Sequence, residues 1–432
     1  MAQFRKDTQQ YLGDNKTLFE VVMLADQYGN RVGPSNPTGM AVDAFGRSRI
    51  SQPVTLFDSS NRFQSNPAFS NALTGSGTTT HNANASVVSM NVTTTGDKVV
   101  RETNRVFAYQ PGKSLQILNT FVMAPAAPGL RQRVGYFNDQ NGIFLEQTGS
   151  TIRFVVRSYV GGSVSETYAV QGSWSLDNLD GGGPSHIILD LTKAQIFFTD
   201  IEWLGVGSVR VGFVIDGQFI HCHTFHHANI VDSTYMTTAC LPVRAEIENV
   251  SNSSAATLKQ ICCSVISEGG YELRGRPRTY GLEPTTSGQY PLGTIGTYYP
   301  VMSFRLHANR LDSIVVPRAL NLSPINNGTY RYKLLSGATI TGAVWSNTAG
   351  NDYLQYNSNT SATFSGGVEL SSGYVTATTQ ASSVFSLDSG IFTYQFERNG
   401  LTATPTTFTL VVTCGTAATA NVVASMDWHE VV

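Results

Sequence analysis

A chain of 432 residues can hold two or three domains, each with its own core, and here only 13% of the residues are charged, against the usual ~25%. The formal net charge of −2 excludes a surface built to coat nucleic acid, which needs a surplus of Lys and Arg on one face. No apolar run reaches the ~18 residues of a membrane span, and the N-terminal stretch lacks the roughly 7–15-residue apolar segment of a signal peptide. The expectation is a chain synthesised in a cytoplasm, with no membrane partner and no nucleic-acid partner.

In chain order, residues 1–70 read as an extended N-terminal arm: mixed charge, Gly33-Pro34 and Asn36-Pro37 punctuation, and brief apolar patches such as Leu18 to Leu24. Residues 71–96, with the run TGSGTTTHNANAS, read as a Ser/Thr/Asn-rich linker. Strands dominate from there. Leu115 to Met123 alternates, Arg131 to Gln147 reads as a hairpin about Asn141-Gly142, and Thr151 to Tyr159 and Val164 to Gln171 continue the pattern.

The clearest hairpin lies between Asp200 and Asn229. Asp216-Gly217 supplies the positive φ angles of a two-residue turn, which pairs Phe213 with Ile220, Val211 with Cys222 and Val209 with Thr224. One face is apolar; Arg210, Gly212, His221 and His223 fall on the other. Val243 to Glu248 and Gln260 to Ser267 follow as strands, with Thr257 to Ile261 open to reading as a helical turn. Short strands at this spacing, without amphipathic helical periodicity, predict an antiparallel β-sandwich over 97–318. After Val316 to Pro324 the composition shifts, and residues 321–432 carry only nine charges. About seven short strands' worth of sequence there predicts an Ig-like β-sandwich over 319–432, without the Cys-Trp-Cys triplet of immunoglobulins.

Chemistry is sparse. Five cysteines at Cys222, Cys240, Cys262, Cys263 and Cys414 lack framework spacing and read as small buried thiols. His221 and His223 project from one strand face about 7 Å apart, a spacing that could chelate zinc or iron, but Arg210 is the expected neighbour and would repel a metal. Structural hydrogen bonding is the expected role of that cluster, with no metal and no cofactor. Arg274, Arg276 and Arg278 repeat at spacing two, a row that could clamp carboxylates or phosphates, a subunit contact or a solvated loop being the plainer reading. Asp177 with Asp180 and Glu246 with Glu248 are carboxylate pairs, the first explained by turn chemistry. Tyr290, Tyr298, Tyr299, Trp345, Tyr353 and Tyr356 could stack on sugars, with core packing the alternative. No G-x-S-x-G, H-E-x-x-H or phosphate-binding loop is present, so the chain reads as a non-enzyme.

Three segments also resemble virion structural proteins of tailed bacteriophages, of the marine and cyanophage type. They are Val42 to Ser59 (VDAFGRSRISQPVTLFDS), Arg131 to Glu146 (RQRVGYFNDQNGIFLE), and Trp174 to Asn229 with its WLGVG and HANI elements. The resemblance implies a particle component with a lectin-like, jelly-roll sandwich, assembled as a symmetric homo-oligomer, a trimer by class. Its partners would be other head, neck or tail proteins. On that basis Phe45, Arg47, Arg49, Phe57 and Asp58 would belong to an arm that anchors the chain to the virion. A tail-fibre, baseplate or head-fibre component is the leading expectation. Capsid decoration and a host-glycan-binding or depolymerase protein are the alternatives.

Overall fold

The computed structural model describes residues 10–12, 18–20, 53–252, 254–272, 274–348, 353–377, 383–386, 395–415 and 420–431. For 10–12, 18–20 and 383–386 it describes the backbone alone. The chain divides into two compact units, Met1–Gln52 and Pro53–Val432. In the first, Gln10–Leu12 (β1) and Leu18–Glu20 (β2) pair as an antiparallel ribbon. Phe45, Arg47 and Arg49 lie outside the described residues.

The second unit is all-β and carries two sandwiches. The first sandwich begins with Pro53–Ser60 (β3), Phe69–Thr74 (β4), Thr78–Asn82 (β5), Val87–Val92 (β6) and Lys98–Thr103 (β7). Ser114–Val122 (β8), Leu130–Phe137 (β9), Gly142–Thr148 (β10), Thr151–Ser158 (β11) and Ser165–Val170 (β12) follow. It ends with Gln195–Ile201 (β13), Val209–Ile215 (β14), Gln218–Phe225 (β15), Val243–Asn249 (β16) and Ala256–Glu268 (β17). One sheet has seven strands in the order β12-β11-β10-β9-β16-β7-β4. The other has eight, in the order β15-β14-β13-β8-β17-β6-β5, with β3 also on β17. The chain crosses between sheets from β6 to β7, β7 to β8, β8 to β9 and β16 to β17, the crossing pattern of a jelly roll.

Alternation drives each strand to this position. In β8 every second residue (Leu115, Ile117, Asn119, Phe121) is buried, so one face must meet the other sheet. Between the layers Phe154 stacks on Trp174 at 4.2 Å and lies 5.7 Å from Phe197, which lies 5.9 Å from Phe213. Burial of each such ring stabilises by roughly 1.5–3 kcal/mol.

The Asp216-Gly217 turn forms as expected, with φ of 51° and 74°, and Phe213 opposes Ile220. Beyond that pair the register departs from the expectation. A bulge at Cys222 places Val211 opposite His223, Arg210 opposite Thr224 and Val209 opposite Phe225. The apolar face survives because Cys222, the extra residue, also turns inward and is fully buried.

The sandwich is wider than the sequence reading. The expected linker at 71–96 is β4, β5 and β6, and the last stretch of the expected arm is β3. Val88, Met90 and Val92 face the core, while Thr78, Thr80, Ser89 and Asn91 make a polar outer face. A strand with one hydroxyl-rich face is hard to tell from a loop by composition. Phe57 is a core residue, 5.1 Å from Phe107, and Asp58 points outward beside it on β3, so neither belongs to a free arm. Thr257 to Ile261 is part of β17, with Leu258 buried and Lys259 exposed, in place of a helical turn.

The second sandwich starts at Arg276, earlier than the expected 319. Its strands are Arg276–Gly281 (β18), Tyr290–Leu292 (β19), Tyr299–Leu306 (β20), Ile314–Pro324 (β21) and Gly328–Ser336 (β22). Next come Thr339–Thr341 (β23), Ser346–Asn347 (β24), Leu354–Asn357 (β25), Thr363–Ser365 (β26) and Val368–Ala377 (β27). Ser383–Ser386 (β28), Arg398–Asn399 (β29), Thr404–Pro405 (β30), Phe408–Cys414 (β31) and Ala420–Val431 (β32) complete it. A five-stranded sheet (β18-β32-β21-β28, with β19 on β32) packs on a six-stranded one (β24-β25-β20-β31-β22-β27) over Trp428, Phe304 and Tyr330. β18 joins because β32 is long enough to pair with β18 and β19 on one side and β21 on the other.

Candidate functional site

The densest chemistry lies on the outward face of the seven-stranded sheet. Side-chain alternation there puts Arg153, Glu146, Arg133 and Glu246 in one row across β11, β10, β9 and β16. The next row carries Arg244 opposite Glu102. Arg133 Nε donates to Glu146 Oε2 at 2.6 Å, and Arg153 Nε donates to Glu146 Oε1 at 2.6 Å. Arg244 donates to Glu102 at 3.0 Å and to Asp139 at 2.7 Å, and it lies 2.5 Å from Glu246. Arg157 reaches Glu166 at 2.9 Å.

Glu146 is wholly buried, and Glu102, Glu246 and Arg244 are at most 3% exposed. Beneath them Phe137 and Phe144 pack at 4.5 Å, roofed by the guanidiniums of Arg133, Arg157 and Arg244 at about 5 Å.

Charge pairing sets the protonation of this face. Burial pushes the Glu246 carboxyl up, but Arg244, Lys98, Arg133 and Arg157 together outweigh it and hold the pKa at about 2. Burial likewise opposes the charge on Arg244, yet Glu246, Glu102 and Asp139 raise its pKa overall. In Glu102 burial wins over Arg398 and Arg244, and its pKa is raised. A carboxyl fixed as an anion with every oxygen engaged cannot serve as a general acid near neutrality. The Glu246 and Glu248 pair singled out in the sequence is therefore an ion-pair element, with Glu248 bound to Arg131 at 2.5 Å.

The histidine cluster is dispersed. His221 is exposed on β15, 5.0 Å from the Phe198 ring, and its pKa is lowered by burial and then by Arg210. The His223 Nδ1 accepts the Ser175 N–H at 3.1 Å, and His227 stacks on Tyr235 at 3.9 Å. Among the described residues no group of three or more His, Cys, Asp or Glu could hold a metal ion. The arginine row is divided too. Arg274 pairs with Glu272, Arg276 is exposed at the start of β18, and Arg278 lies 3.5 Å from the buried Glu430.

No protein-family model and no curated protein matches the chain. Solved structures resemble it at the level of fold. One is the Bacteroides ovatus mixed linkage glucan GH16 with its product, 9% identical, covering 49% of this chain and 99% of that one at a TM-score of 0.34. Arcelin-5, a lectin-like defence protein of Phaseolus vulgaris, is 10% identical over 50% of this chain and 99% of its own, with a TM-score of 0.29. The ligand binding domain of botulinum neurotoxin serotype D, solved with N-acetylneuraminic acid, is 8% identical over 83% and 92%, with a TM-score of 0.32. Similarity at this level concerns β-sandwich architecture and nothing finer.

The remaining candidates resolve into structure. Asp177 accepts the N–H groups of Leu179 and Ser185 at 2.9 and 2.8 Å, and Asp180 accepts that of Gly182 at 2.8 Å, which is turn chemistry. Tyr290 is buried, Tyr356 stacks on Tyr280 at 3.7 Å, and the Arg305 guanidinium covers Trp345 at 4.1 Å. None of the five cysteines is in a disulfide: Cys222, Cys263 and Cys414 are buried, while Cys240 and Cys262 are partly exposed.

Sequence reasoning missed the Arg-Glu lattice. Its signal was present as charge at spacings of two or four on adjacent strands: Arg131 and Arg133, Arg153 and Arg157, Arg244 with Glu246 and Glu248. Without the cross-strand register these read as solvated faces.

Proposed function

We propose that this chain is a non-catalytic structural subunit of a tailed-phage particle, built into a homo-oligomer. Its place is in a tail fibre, the baseplate or a head fibre. One observation carries it: the most concentrated acidic and basic groups of the molecule are spent on each other. Four glutamates that could do acid-base work, Glu102, Glu146, Glu166 and Glu246, are each held by arginine. That lattice rigidifies a sheet instead of presenting a reactive group.

The segments that resemble phage virion proteins run through this same scaffold. They include β3, the β9-β10 hairpin that carries Arg133 and Glu146, and β13 to β15. The low overall charge suits a protein that buries much of its surface against copies and neighbours.

Immunogold electron microscopy with antibodies to residues 321–432, on purified particles from an infected culture, tests the reading. Label at the tail tip, on fibres or over the head supports it and separates its variants. Absence of label, together with absence of the chain from the particles' protein gel, sinks it.

A further inference from the structure

The outer face of the eight-stranded sheet, opposite the lattice, holds a cavity of about 310 Å³ between β8, β13 and β14. Lys113, Ser114, Asp200, Glu202, Ser208 and Arg210 line it. Two of its groups have partners already: Ser114 hydrogen-bonds the Asp200 carboxylate, and Lys113 Nζ donates to Gln110 Oε1 at 3.0 Å. Arg210 lies 3.9 Å from Asp200 Oδ2, beyond hydrogen-bond range, and Asp200 Oδ1 is closed off from solvent without any partner.

Beside the cavity on the same face stands an aromatic shelf. Phe198, two residues before Asp200 on β13, lies 5.1 Å from Phe219 and 5.0 Å from His221. Phe219 is 48% exposed. Gly212 separates the shelf from Arg210 on β14, and a Cβ there would meet the Ile220 carbonyl at 2.0 Å and the Phe198 ring at 2.9 Å. The absent side chain lets the Phe198 ring and the β15 backbone pack directly over Gly212, one row along the sheet from Arg210.

The mixture of charges selects the ligand. Asp200 and Glu202 disfavour an anionic ligand, with Glu268 close enough to Asp200 to raise its own pKa further after burial. Lys113 and Arg210 disfavour a cation or metal. What satisfies acceptors and donors together is a neutral group that both donates and accepts, and adjacent hydroxyls on a sugar ring do this in pairs. We infer that the cavity binds the vicinal diol of a neutral saccharide, Asp200 and Arg210 taking the hydroxyls while Phe219 and His221 lie against the apolar face of the ring.

The site does not rest on the particle reading, and it gives the chain a surface for host or environmental glycan in either case. Asp200 has a pKa raised by burial against the pull of Arg210 and His221. Acidification therefore removes the acceptor earlier than for an ordinary carboxyl. Lys113, Arg210, Glu202, Glu268 and His221 are the other titratable groups on that side. His221, whose pKa is lowered, also gains charge on acidification, so the fall in affinity reports on Asp200 only when it disappears in Asp200→Asn.

The test is saturation-transfer NMR and calorimetry on the full chain with neutral gluco-, manno- and galacto-oligosaccharides, each paired with its fully O-methylated form. The expected result is saturable binding of at least one unmethylated series, lost on methylation. Asp200→Asn and Arg210→Ala should each weaken it tenfold or more, and Phe219→Ala should weaken it less, with melting temperatures near the parent's. Lack of saturable binding to every oligosaccharide overturns the inference. So does binding that survives methylation or is unchanged in both Asp200→Asn and Arg210→Ala. Immunogold labelling of particles reads the structural role separately, so failure of one leaves the other standing.

Discussion

Arg244 is the side chain whose loss the lattice tolerates least. It bonds Glu102 and Asp139, lies against Glu246 and covers the Phe137 ring at 5.5 Å, while only 3% exposed. Deleting one partner of a buried network leaves the others as desolvated charges without compensation, at a cost of about 3–5 kcal/mol. Arg244→Ala should lose that much in urea unfolding. Arg274→Ala, which removes an 82% exposed partner of Glu272, should change stability by less than ~0.5 kcal/mol. Equal effects from the two would show that the lattice is worth no more than a surface pair.

Protonation gives a second handle on the same network. Glu246 has a folded pKa of about 2, below the ~4.3 of an unfolded glutamate, so its contribution is complete above ~4.3 and is lost as pH falls towards 2. Glu102 has the opposite sign, because a raised folded pKa favours the folded state as acid protonates it. The Glu246 term is on the order of 3 kcal/mol from the size of its shift. Wild type should lose stability between about pH 4.5 and 2.5, and Glu246→Gln should flatten that stretch while being less stable at pH 7. Parallel curves for the two proteins would remove Glu246 as the acid-sensitive group.

Among the elements, the β14-β15 hairpin shows what sequence can settle. Its turn follows from Asp216-Gly217 alone, and both residues adopt positive φ. Its far end was not legible, because the bulge at Cys222 depends on packing between sheets and leaves no mark on the alternating pattern. The edge of β15 is covered by the segment around Leu176, where the Leu176 and Asp177 N–H groups both donate to the Cys222 carbonyl. That contact joins residues far apart in sequence, as the lattice rows do, and only the fold reveals it. β5 and β6 were illegible for a different reason: threonine and asparagine fit a solvated sheet face as readily as a loop.

Two glycines separate backbone conformation from crowding. Gly217 has φ of 74° and nothing within 4 Å of an added Cβ, so Gly217→Ala pays only the left-handed penalty, roughly 1 kcal/mol. Gly142 has φ of 143°, and a Cβ there would lie 2.1 Å from that of Phe137, within the aromatic pair under the arginines. Gly142→Ala should therefore cost several times more than Gly217→Ala in the same denaturation assay. Similar values for both would mean that the β9-β10 hairpin yields easily, against the packing described.

At the scale of the molecule, the two sandwiches of the Pro53–Val432 unit meet at a seam centred on one arginine. Arg398, 2% exposed at the start of β29, donates to Glu102 at 2.7 Å and to the Thr103 carbonyl at 2.9 Å, and its Nε reaches Asp312 at 3.0 Å. Its own N–H donates to the Asn104 carbonyl at 2.8 Å, and Arg105 pairs with Glu397 at 3.2 Å. Val106 and Ala108 meet Ile314 and Val316 in a small shared core alongside. The lattice of the first sandwich thus continues through Glu102 into the second, so opening either one strands a buried charge of the other. Unfolding of the wild type should be a single cooperative transition with coincident calorimetric and spectroscopic midpoints. Arg398→Ala removes the buried part of the charged link, leaves the Arg105–Glu397 pair and each hydrophobic core intact, and should split the calorimetric trace into two transitions. A variant that still unfolds in one step would show that the small apolar contact and the Arg105–Glu397 pair, with the chain connection, are enough to couple them.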